Sequence, residues 1–207
     1  MKKRHIIFDL DGTLSDTAKA TAIAIEEVCG KRNLPKVDYK RILSAMGLSD
    51  MEFCAHVFPD IPLEDLPDIQ VEVDSLEEQM IIQFGVDILF PGVDAMLSDL
   101  GNKGCCLYIA STGSKRHVDV TLKAGGIKDY FTGVSCGEPG KVMMVKNMIA
   151  GRDLEEWMMV GDMFKDSEAA RGNNILALGA GFGYLSGEDH TLFDSILWEP
   201  GDIFGFL

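Results

Sequence analysis

Residues 5–16 read HIIFDLDGTLSD, a short apolar run that is followed at once by two carboxylates. The apolar run His5–Phe8 predicts a buried strand, and Asp9 and Asp11 follow it in a polar turn. A helical pattern starts near Asp16 and Thr17, which are residue types that cap helix N-termini. A strand, an acidic turn and a helix in this order predict an α/β fold with chemistry at the end of the strand.

Strand and helix patterns alternate along the second half of the chain. Buried parallel strands are predicted from apolar runs at 105–110, 157–160 and 175–178, with shorter candidates at 134–136 and 195–198. Helical periodicity occupies the segments at 93–100, 115–124, 141–149 and 166–171. This alternation predicts a doubly wound parallel sheet with helices on both of its faces.

The segment 15–85 differs from the rest because it contains helical patterns and no convincing strand. Its last helical pattern covers 71–84, with Val71 among the residues expected on the apolar side. An all-helical stretch between the first strand and the remaining strands indicates an insertion. We therefore expect a catalytic core formed by 1–14 and 86–207, carrying a helical cap at 15–85.

The composition narrows the class of protein. The 207 residues carry a formal net charge of −14 and 46% hydrophobic side chains, with no apolar run near the ~20 residues that span a bilayer. The acidic balance disfavours a nucleic-acid partner, because phosphate backbones are bound by lysine and arginine clusters. Five cysteines without a CxxC pair indicate reduced thiols. Because the N-terminal apolar stretch is too short for an export signal, we expect a cytoplasmic protein.

Polar groups follow three of the predicted strands. These groups are Asp9 and Asp11, the Ser-Thr pair at 111–112 and Asp162, with Lys141 at the start of a helix between the last two strands. Because the carboxyl ends of parallel strands meet at one edge, the fold should gather them. Converging carboxylates repel one another unless a cation lies among them, and oxygen ligands suit Mg²⁺. A metal beside a carboxylate and a lysine makes a site for a phosphate dianion, whose phosphorus the carboxylate can attack.

Four motifs in this order resemble those of the haloacid dehalogenase-like (HAD) hydrolase superfamily. They are Asp9-Leu-Asp11-Gly-Thr-Leu, Ser111-Thr-Gly113, Lys141 and Gly161-Asp162-Met-Phe-Lys-Asp166. The resemblance covers nearly the whole chain, more loosely across 15–85, and is similar in particular to the phosphoglycolate phosphatase-like branch with a small helical cap. It implies a Rossmann-like core and Mg²⁺-dependent hydrolysis of a small phosphorylated metabolite through an aspartyl-phosphate. Phosphoglycolate is the substrate that the resemblance names.

The first motif carries the chemical roles that the resemblance implies. Asp9 would be the nucleophile and a metal ligand. Asp11 would protonate the leaving alcohol and then activate water, and its backbone carbonyl would touch the metal. A carboxylate two residues after the nucleophile is typical of phosphoryl-transfer members, so dehalogenation is not expected.

The other three motifs imply contacts to phosphate and metal. Ser111, with the backbone of Thr112 and Gly113, would hold the phosphoryl oxygens. Lys141 would balance the charge of the nucleophile and the phosphoryl group. The implied metal set is Asp9, Asp11, Asp162 and Asp166, the last of which orients either a metal-bound water or Lys141.

Several alternatives stay open at this point. Many relatives place the third-motif lysine before a proline, whereas here Pro139 comes before Lys141, so Lys146 is the alternative lysine. A phosphosugar mutase would carry the same four motifs and return the phosphoryl group to a sugar. A non-catalytic phosphate-binding or interaction protein would not need the complete acid, base and metal set.

Two further segments border the predicted site. Residues 115–117, Lys-Arg-His, are expected to form the exposed first turn of a helix, and their alternative role is a contact to an anionic substrate. The glycine-rich stretch 179–183 is expected to be a tight turn beside the active site rather than a dinucleotide-binding loop, since no βαβ unit follows it.

Overall fold

Six strands form one parallel sheet in the computed structural model, which describes residues 4–48, 50–138, 140–187 and 189–207. The first three are β1 (His5–Phe8), β2 (Cys106–Ser111) and β3 (Phe131–Cys136). The other three are β4 (Trp157–Gly161), β5 (Leu176–Ala180) and β6 (Ser195–Leu197). Their spatial order is β3-β2-β1-β4-β5-β6, which is a doubly wound order with β1 and β4 at the centre. The predicted α/β fold class is therefore confirmed.

The α-helices follow the predicted alternation. Between β1 and β2 lie α1 (Thr17–Arg32), α2 (Tyr39–Ala45), α3 (Asp50–Val57), α4 (Leu66–Phe84) and α5 (Val93–Asn102). The later ones are α6 (Lys115–Ala124), α7 (Lys141–Ile149) and α8 (Phe164–Gly172). Each described helix is too short or too polar to cross a membrane. Pro139, which raised the question about the third motif, lies outside the described residues, as do residues 1–3 of the expected core.

The sheet separates two apolar layers. Ile6 and Phe8 belong to the buried cluster that contains the inner sides of α5 and α6. Ile7 belongs to the other cluster, which contains Met144 from α7 and Ala169 from α8. This division follows from the pleat of β1, because successive side chains of a strand point to opposite faces.

The helices α1 to α4 have a buried cluster of their own. It joins Val28 of α1 to residues of α4, namely Leu66, Ile69, Val73 and Leu76. These α4 positions recur at helical spacing and define the buried stripe. Val71 lies off that stripe and is 70% exposed, so its predicted place on the apolar side is wrong.

Two neighbouring backbone segments, residues 14–16 and 88–90, connect α1–α4 to the sheet. The Phe90 amide donates to the Leu14 carbonyl at 3.0 Å, and the Asp16 amide donates to the Ile88 carbonyl at 2.8 Å. Ser15 and Leu89 form an antiparallel bridge between these hydrogen bonds. The helical segment is thus fastened beside the carboxyl end of β1, where the first predicted motif lies. Its limits at 15 and 85 stay a prediction.

Candidate active site

The carboxyl end of β1 lies beside that of β4, where the strand order changes direction. Phe8 pairs with Val160, and the Asp9 amide donates to the Val160 carbonyl at 2.9 Å. Asp9 therefore leaves β1 next to Asp162, which follows β4. The crevice at such a point is where open α/β sheets bind ligands.

A buried lysine joins two of the carboxylates. The Nζ atom of Lys141, at the start of α7, lies 2.7 Å from Asp9 Oδ1 and 2.7 Å from Asp166 Oδ1. The other oxygen of Asp166 accepts from the backbone amides of Asp162 at 3.2 Å and Met163 at 3.0 Å. Both oxygens of Asp166 are thereby engaged, which supports the predicted alternative that Asp166 orients Lys141.

The absence of a side chain at Gly161 makes this cluster possible. A Cβ atom there would lie 2.2 Å from Asp166 Cγ, so Gly161→Ala has to displace the Asp166 carboxylate. We expect the variant to lower the unfolding free energy by ~1–3 kcal/mol and to lower activity, measured by thermal unfolding and turnover. Gly101→Ala is the matched control, because the space around Gly101 at the end of α5 is open. Equal stability of the two variants would contradict this account of the cluster.

Burial and mutual repulsion shift the pKa values of the acidic groups. Burial, aided by Asp166, raises the pKa of Asp9 to about 7 against the opposing effect of Lys141. Burial and the neighbouring Asp9 and Asp166 raise the pKa of Asp162 well above its usual range. Burial disfavours the ammonium of Lys141, yet Asp166 and Asp9 outweigh it and raise the pKa of that lysine. Full ionisation of the cluster is therefore disfavoured when Lys141 is the only cation beside it.

The donor set fits an oxygen-preferring cation. One carboxylate oxygen from each of Asp9, Asp162 and Asp166 lies within 4.8 Å of the others. Thr13 donates to Asp162 Oδ1 at 2.7 Å, whereas Asp162 Oδ2 is buried and has no hydrogen-bond partner among the described residues. An unpaired buried carboxylate oxygen is costly unless a cation binds it, and carboxylate oxygens are the ligands that Mg²⁺ prefers. The absence of a side chain at Gly12 leaves room beside this oxygen, because a Cβ there would lie 2.5 Å from Asp162 Oδ2.

The turn after β2 lies on the other side of Asp9. Ser111 is the buried last residue of β2, and its Oγ accepts from the Gly113 amide at 3.1 Å. Ser111, Thr112 and Gly113 line the same cavity as Asp9 and Lys141. Hydroxyl and backbone amide donors next to a lysine suit the oxygens of a phosphoryl group.

The carboxylate of Asp11 points to a histidine and lies outside the cluster around Lys141. Asp11 Oδ1 is 2.9 Å from His117 Nε2 on α6, and His117 Nδ1 is 3.7 Å from Glu77 Oε2 on α4. Burial would raise the pKa of Asp11, but His117 lowers it overall. Against the opposing effect of burial, Asp11 and Glu77 raise the pKa of His117 to about 10. At neutral pH the proton of this pair therefore rests on His117, in hydrogen-bond contact with Asp11.

The motifs and the fold agree with one known family. A family model described as haloacid dehalogenase-like hydrolase matches residues 6–180. The chain belongs to the haloacid dehalogenase-like hydrolase family. This confirms the predicted family and the prediction that the protein is a hydrolase.

Relatives within this HAD-like family have similar lengths. A phosphoglycolate phosphatase from Synechococcus elongatus is 30% identical, with 96% of this chain and 94% of the relative covered. One from Agrobacterium fabrum is 26% identical, with 86% and 80% covered. A haloacid dehalogenase-like family hydrolase from Streptococcus pneumoniae superposes with a TM-score of 0.84 at 22% identity, covering 99% and 98% of the two chains. Because that protein is only 22% identical, its similarity shows the fold alone.

The sequence left two lysines as candidates for the third motif of this HAD-like hydrolase, and the structure distinguishes between them. Lys141 is buried against Asp9, whereas Lys146 is exposed on α7. The Asp11 carboxylate does not join the acidic cluster with Asp162, and the metal contact implied for its backbone carbonyl stays a prediction.

Two residues at the site make contacts that the sequence patterns did not predict. His117 was expected in an exposed turn, which is wrong for this residue because its ring packs between Asp11 and Glu77. Tyr184 donates its hydroxyl to Asp16 Oδ1 at 2.6 Å, and its amide donates to the Gly12 carbonyl at 3.0 Å. A histidine in the first turn of the helix after the second motif is a signal that could have been followed, whereas Tyr184 offered none.

A cavity of about 840 Å³ lies between this end of the sheet and the helices α1–α4. It reaches from Asp9 and Ser111 on the sheet side to Phe53 and Val71 on the helical side. The glycine-rich stretch borders the first motif as a turn, because a Cβ at Gly183 would lie 1.8 Å from the Gly12 carbonyl. The arrangement provides one end of the cavity for a phosphoryl group and a larger end for the rest of a ligand.

Proposed function

We propose that this protein hydrolyses a small phosphomonoester by transferring the phosphoryl group to Asp9. The observation that carries the proposal is the buried set in which Lys141 bridges Asp9 and Asp166 beside the unpaired Oδ2 of Asp162. A lysine beside carboxylates that can hold a cation suits the charge of a phosphoryl group better than that of a neutral substrate. Curated relatives named phosphoglycolate phosphatase support the same reaction class.

In the first step a carboxylate oxygen of Asp9 attacks phosphorus, and the bond from phosphorus to the ester oxygen breaks. The proton that His117 holds passes through Asp11, which is in hydrogen-bond contact with it, to the leaving alcohol. Ser111 and the backbone at 112–113 hold the phosphoryl oxygens, while Lys141 balances their charge.

In the second step water attacks phosphorus, Asp11 accepts a proton from that water, and phosphate leaves. Asp9 is then a free carboxylate again, so the atoms and charges balance over the cycle. Mg²⁺ held by Asp9, Asp162 and the first-motif backbone would neutralise the phosphoryl charge. The helical segment at 15–85 is the proposed cap that excludes water from the ester bond.

The proposal predicts a requirement for a divalent metal. We expect hydrolysis of a generic aromatic phosphate ester to stop in excess chelator and to return with Mg²⁺, whereas Ca²⁺ should restore it poorly because it favours larger and looser coordination. The measurement is phosphate release from a panel of small phosphate esters, phosphoglycolate among them, with and without Mg²⁺. Full activity in excess chelator would contradict the metal assignment, and a bisphosphate-dependent mutase assay would reveal transfer back to a sugar.

A second prediction concerns His117. We expect His117→Ala to lower kcat for alkyl phosphates by more than ~10-fold. The loss should be smaller than that caused by removing the general acid Asp11, which is expected to be ~10²–10⁴-fold. His117→Gln keeps a donor toward Asp11 and should recover part of the loss. Lys115→Ala is the control, because Lys115 is exposed in the same helical turn. If His117→Ala and Lys115→Ala had equal kcat and KM, His117 would have no part in positioning Asp11.

A further inference from the structure

Helix α4 carries a carboxylate at a position where its helical periodicity favours an apolar side chain. Glu77 lies four residues after Val73 and four residues before Ile81, and both of these are buried. Positions four apart share one face of a helix, so Glu77 faces the interior, and its side chain is 15% exposed. A buried carboxylate costs free energy unless it is paired. Packing alone therefore does not account for this residue.

Both oxygens of Glu77 face groups on other helices. Thr21 of α1 donates its hydroxyl to Oε1 of Glu77, and Thr21 is itself buried. Oε2 of Glu77 lies 3.7 Å from Nδ1 of His117 on α6, which is an ion-pair distance. The carboxylate is therefore fixed from the α1 side and directed toward the histidine ring.

The ring of His117 lies between two carboxylates. Its Nε2 atom is 2.9 Å from Asp11 Oδ1, so the ring meets Asp11 on the sheet side and Glu77 on the helical side. A carboxylate beside one nitrogen of an imidazole fixes the orientation of the ring and keeps a proton on that nitrogen. Glu77 therefore directs the other nitrogen, Nε2, at Asp11.

We propose that Glu77 is a positioning residue for the general acid, acting through His117 on Asp11. The inference rests on the proposed phosphatase function and extends it, because the helical segment then contributes to proton transfer as well as covering the ester bond. When the bond from phosphorus to the ester oxygen breaks, Asp11 gives a proton to that oxygen and receives one from Nε2 of His117. In the second step the proton taken from water returns to Nε2 by the same route, while Glu77 stays beside Nδ1.

Leaving groups of different basicity separate this role from a structural one. An alkoxide needs a proton as it leaves, whereas nitrophenolate does not. The test compares kcat/KM for p-nitrophenyl phosphate with kcat/KM for the alkyl phosphate that the intact protein hydrolyses best, at pH 7 with saturating Mg²⁺. This parameter reports the steps up to release of the alcohol, so hydrolysis of the aspartyl-phosphate does not enter the comparison.

Glu77→Gln keeps the size of the side chain and an acceptor for Thr21. It should lower kcat/KM for the alkyl ester by ~3–10-fold, a part of the ~10²–10⁴-fold that a general acid contributes, and change kcat/KM for the aromatic ester by less than ~2-fold. The matched control is Glu78→Gln, because Glu78 is the next residue of α4 and also pairs with α6, through Arg116. It should leave the ratio of the two kcat/KM values unchanged.

A double-variant cycle tests whether Glu77 acts through His117. In a protein that already carries His117→Ala, Glu77→Gln should cause no further selective loss with the alkyl ester, because residues that act as one unit have non-additive effects. Thr21→Val removes the hydroxyl that holds Glu77 and should show the same selective loss to a smaller extent. It decides the question if Glu77→Gln does not fold, which thermal unfolding reports.

The outcomes separate this inference from the proposed function. Equal losses with both esters in Glu77→Gln, no loss with either, or a full further loss in the His117→Ala protein would overturn the inference and leave the phosphatase function standing. Turnover of the aromatic ester with no alkyl ester hydrolysed would do the same, because no leaving group would then need the proton. If the unchanged protein hydrolysed no phosphate ester at all, the proposed function would fail and this inference with it.

Discussion

Asp9→Asn is expected to reduce phosphatase activity to the background of the uncatalysed reaction. The amide that replaces the carboxylate is a very poor nucleophile, so no phosphoryl group can be transferred to residue 9. The measurement is turnover of an aromatic phosphate ester with saturating Mg²⁺. Asp99→Asn, at an exposed position of α5, is the matched control and should keep the activity of the unchanged protein.

The same variant should not unfold the protein. Because the pKa of Asp9 is raised to about 7, the folded state binds a proton more tightly than the unfolded chain does. In the metal-free protein the unfolding free energy should therefore fall as pH rises from the unfolded pKa of ~4 through 7. Asp9→Asn removes this effect, so in chelator at pH 8 its Tm should equal or exceed that of the unchanged protein. An inactive variant with a much lower Tm would not support the nucleophile assignment, whereas an active one would contradict it.

Asp11→Asn is expected to lower kcat for alkyl phosphates by ~10²–10⁴-fold, the usual contribution of a general acid and base. A nitrophenolate leaving group needs no proton, so the first step with p-nitrophenyl phosphate should be slowed much less than the second. Rapid mixing should then show a burst of nitrophenolate followed by slow turnover. Asp99→Asn again provides the control.

The expected change in stability is opposite for Asp11→Asn. His117 lowers the pKa of Asp11 in the folded protein, so the ionised carboxylate stabilises the fold above the unfolded pKa. Asp11→Asn should therefore reduce the Tm slightly at pH 7. Turnover of alkyl phosphates at the rate of the unchanged protein would show that Asp11 is not the acid and base.

Local sequence patterns were sufficient for much of the fold. The predicted helices at 115–124 and 141–149 coincide with α6 and α7, because apolar periodicity and a capping position or glycine mark both ends. The predicted start of α4 at Val71 was five residues late, since the structure begins this helix at Leu66. Pro67 lies in its first turn, where a proline costs no hydrogen bond. The prolines and carboxylates at 59–68 are typical of a loop, so they concealed the start of the helix.

The long-range contacts of the site could not be read in the same way. Asp16 was predicted to cap α1, yet its side chain makes no cap hydrogen bond and instead accepts from Tyr184. The contact between His117 and Glu77 depends on how α4 packs against α6, which no local pattern specifies. The motif residues were predictable because parallel strands bring their carboxyl ends together whatever the loops do.

Acid quenching followed by peptide mapping tests the central claim most directly. Asp11→Asn mixed with p-nitrophenyl phosphate and Mg²⁺ should accumulate one phosphoryl group on the peptide that contains Asp9, because its removal by water is slow. The double variant that also carries Asp9→Asn should accumulate none. Release of nitrophenolate with no phosphorylated peptide, or with the phosphoryl group on another residue, would contradict transfer to Asp9.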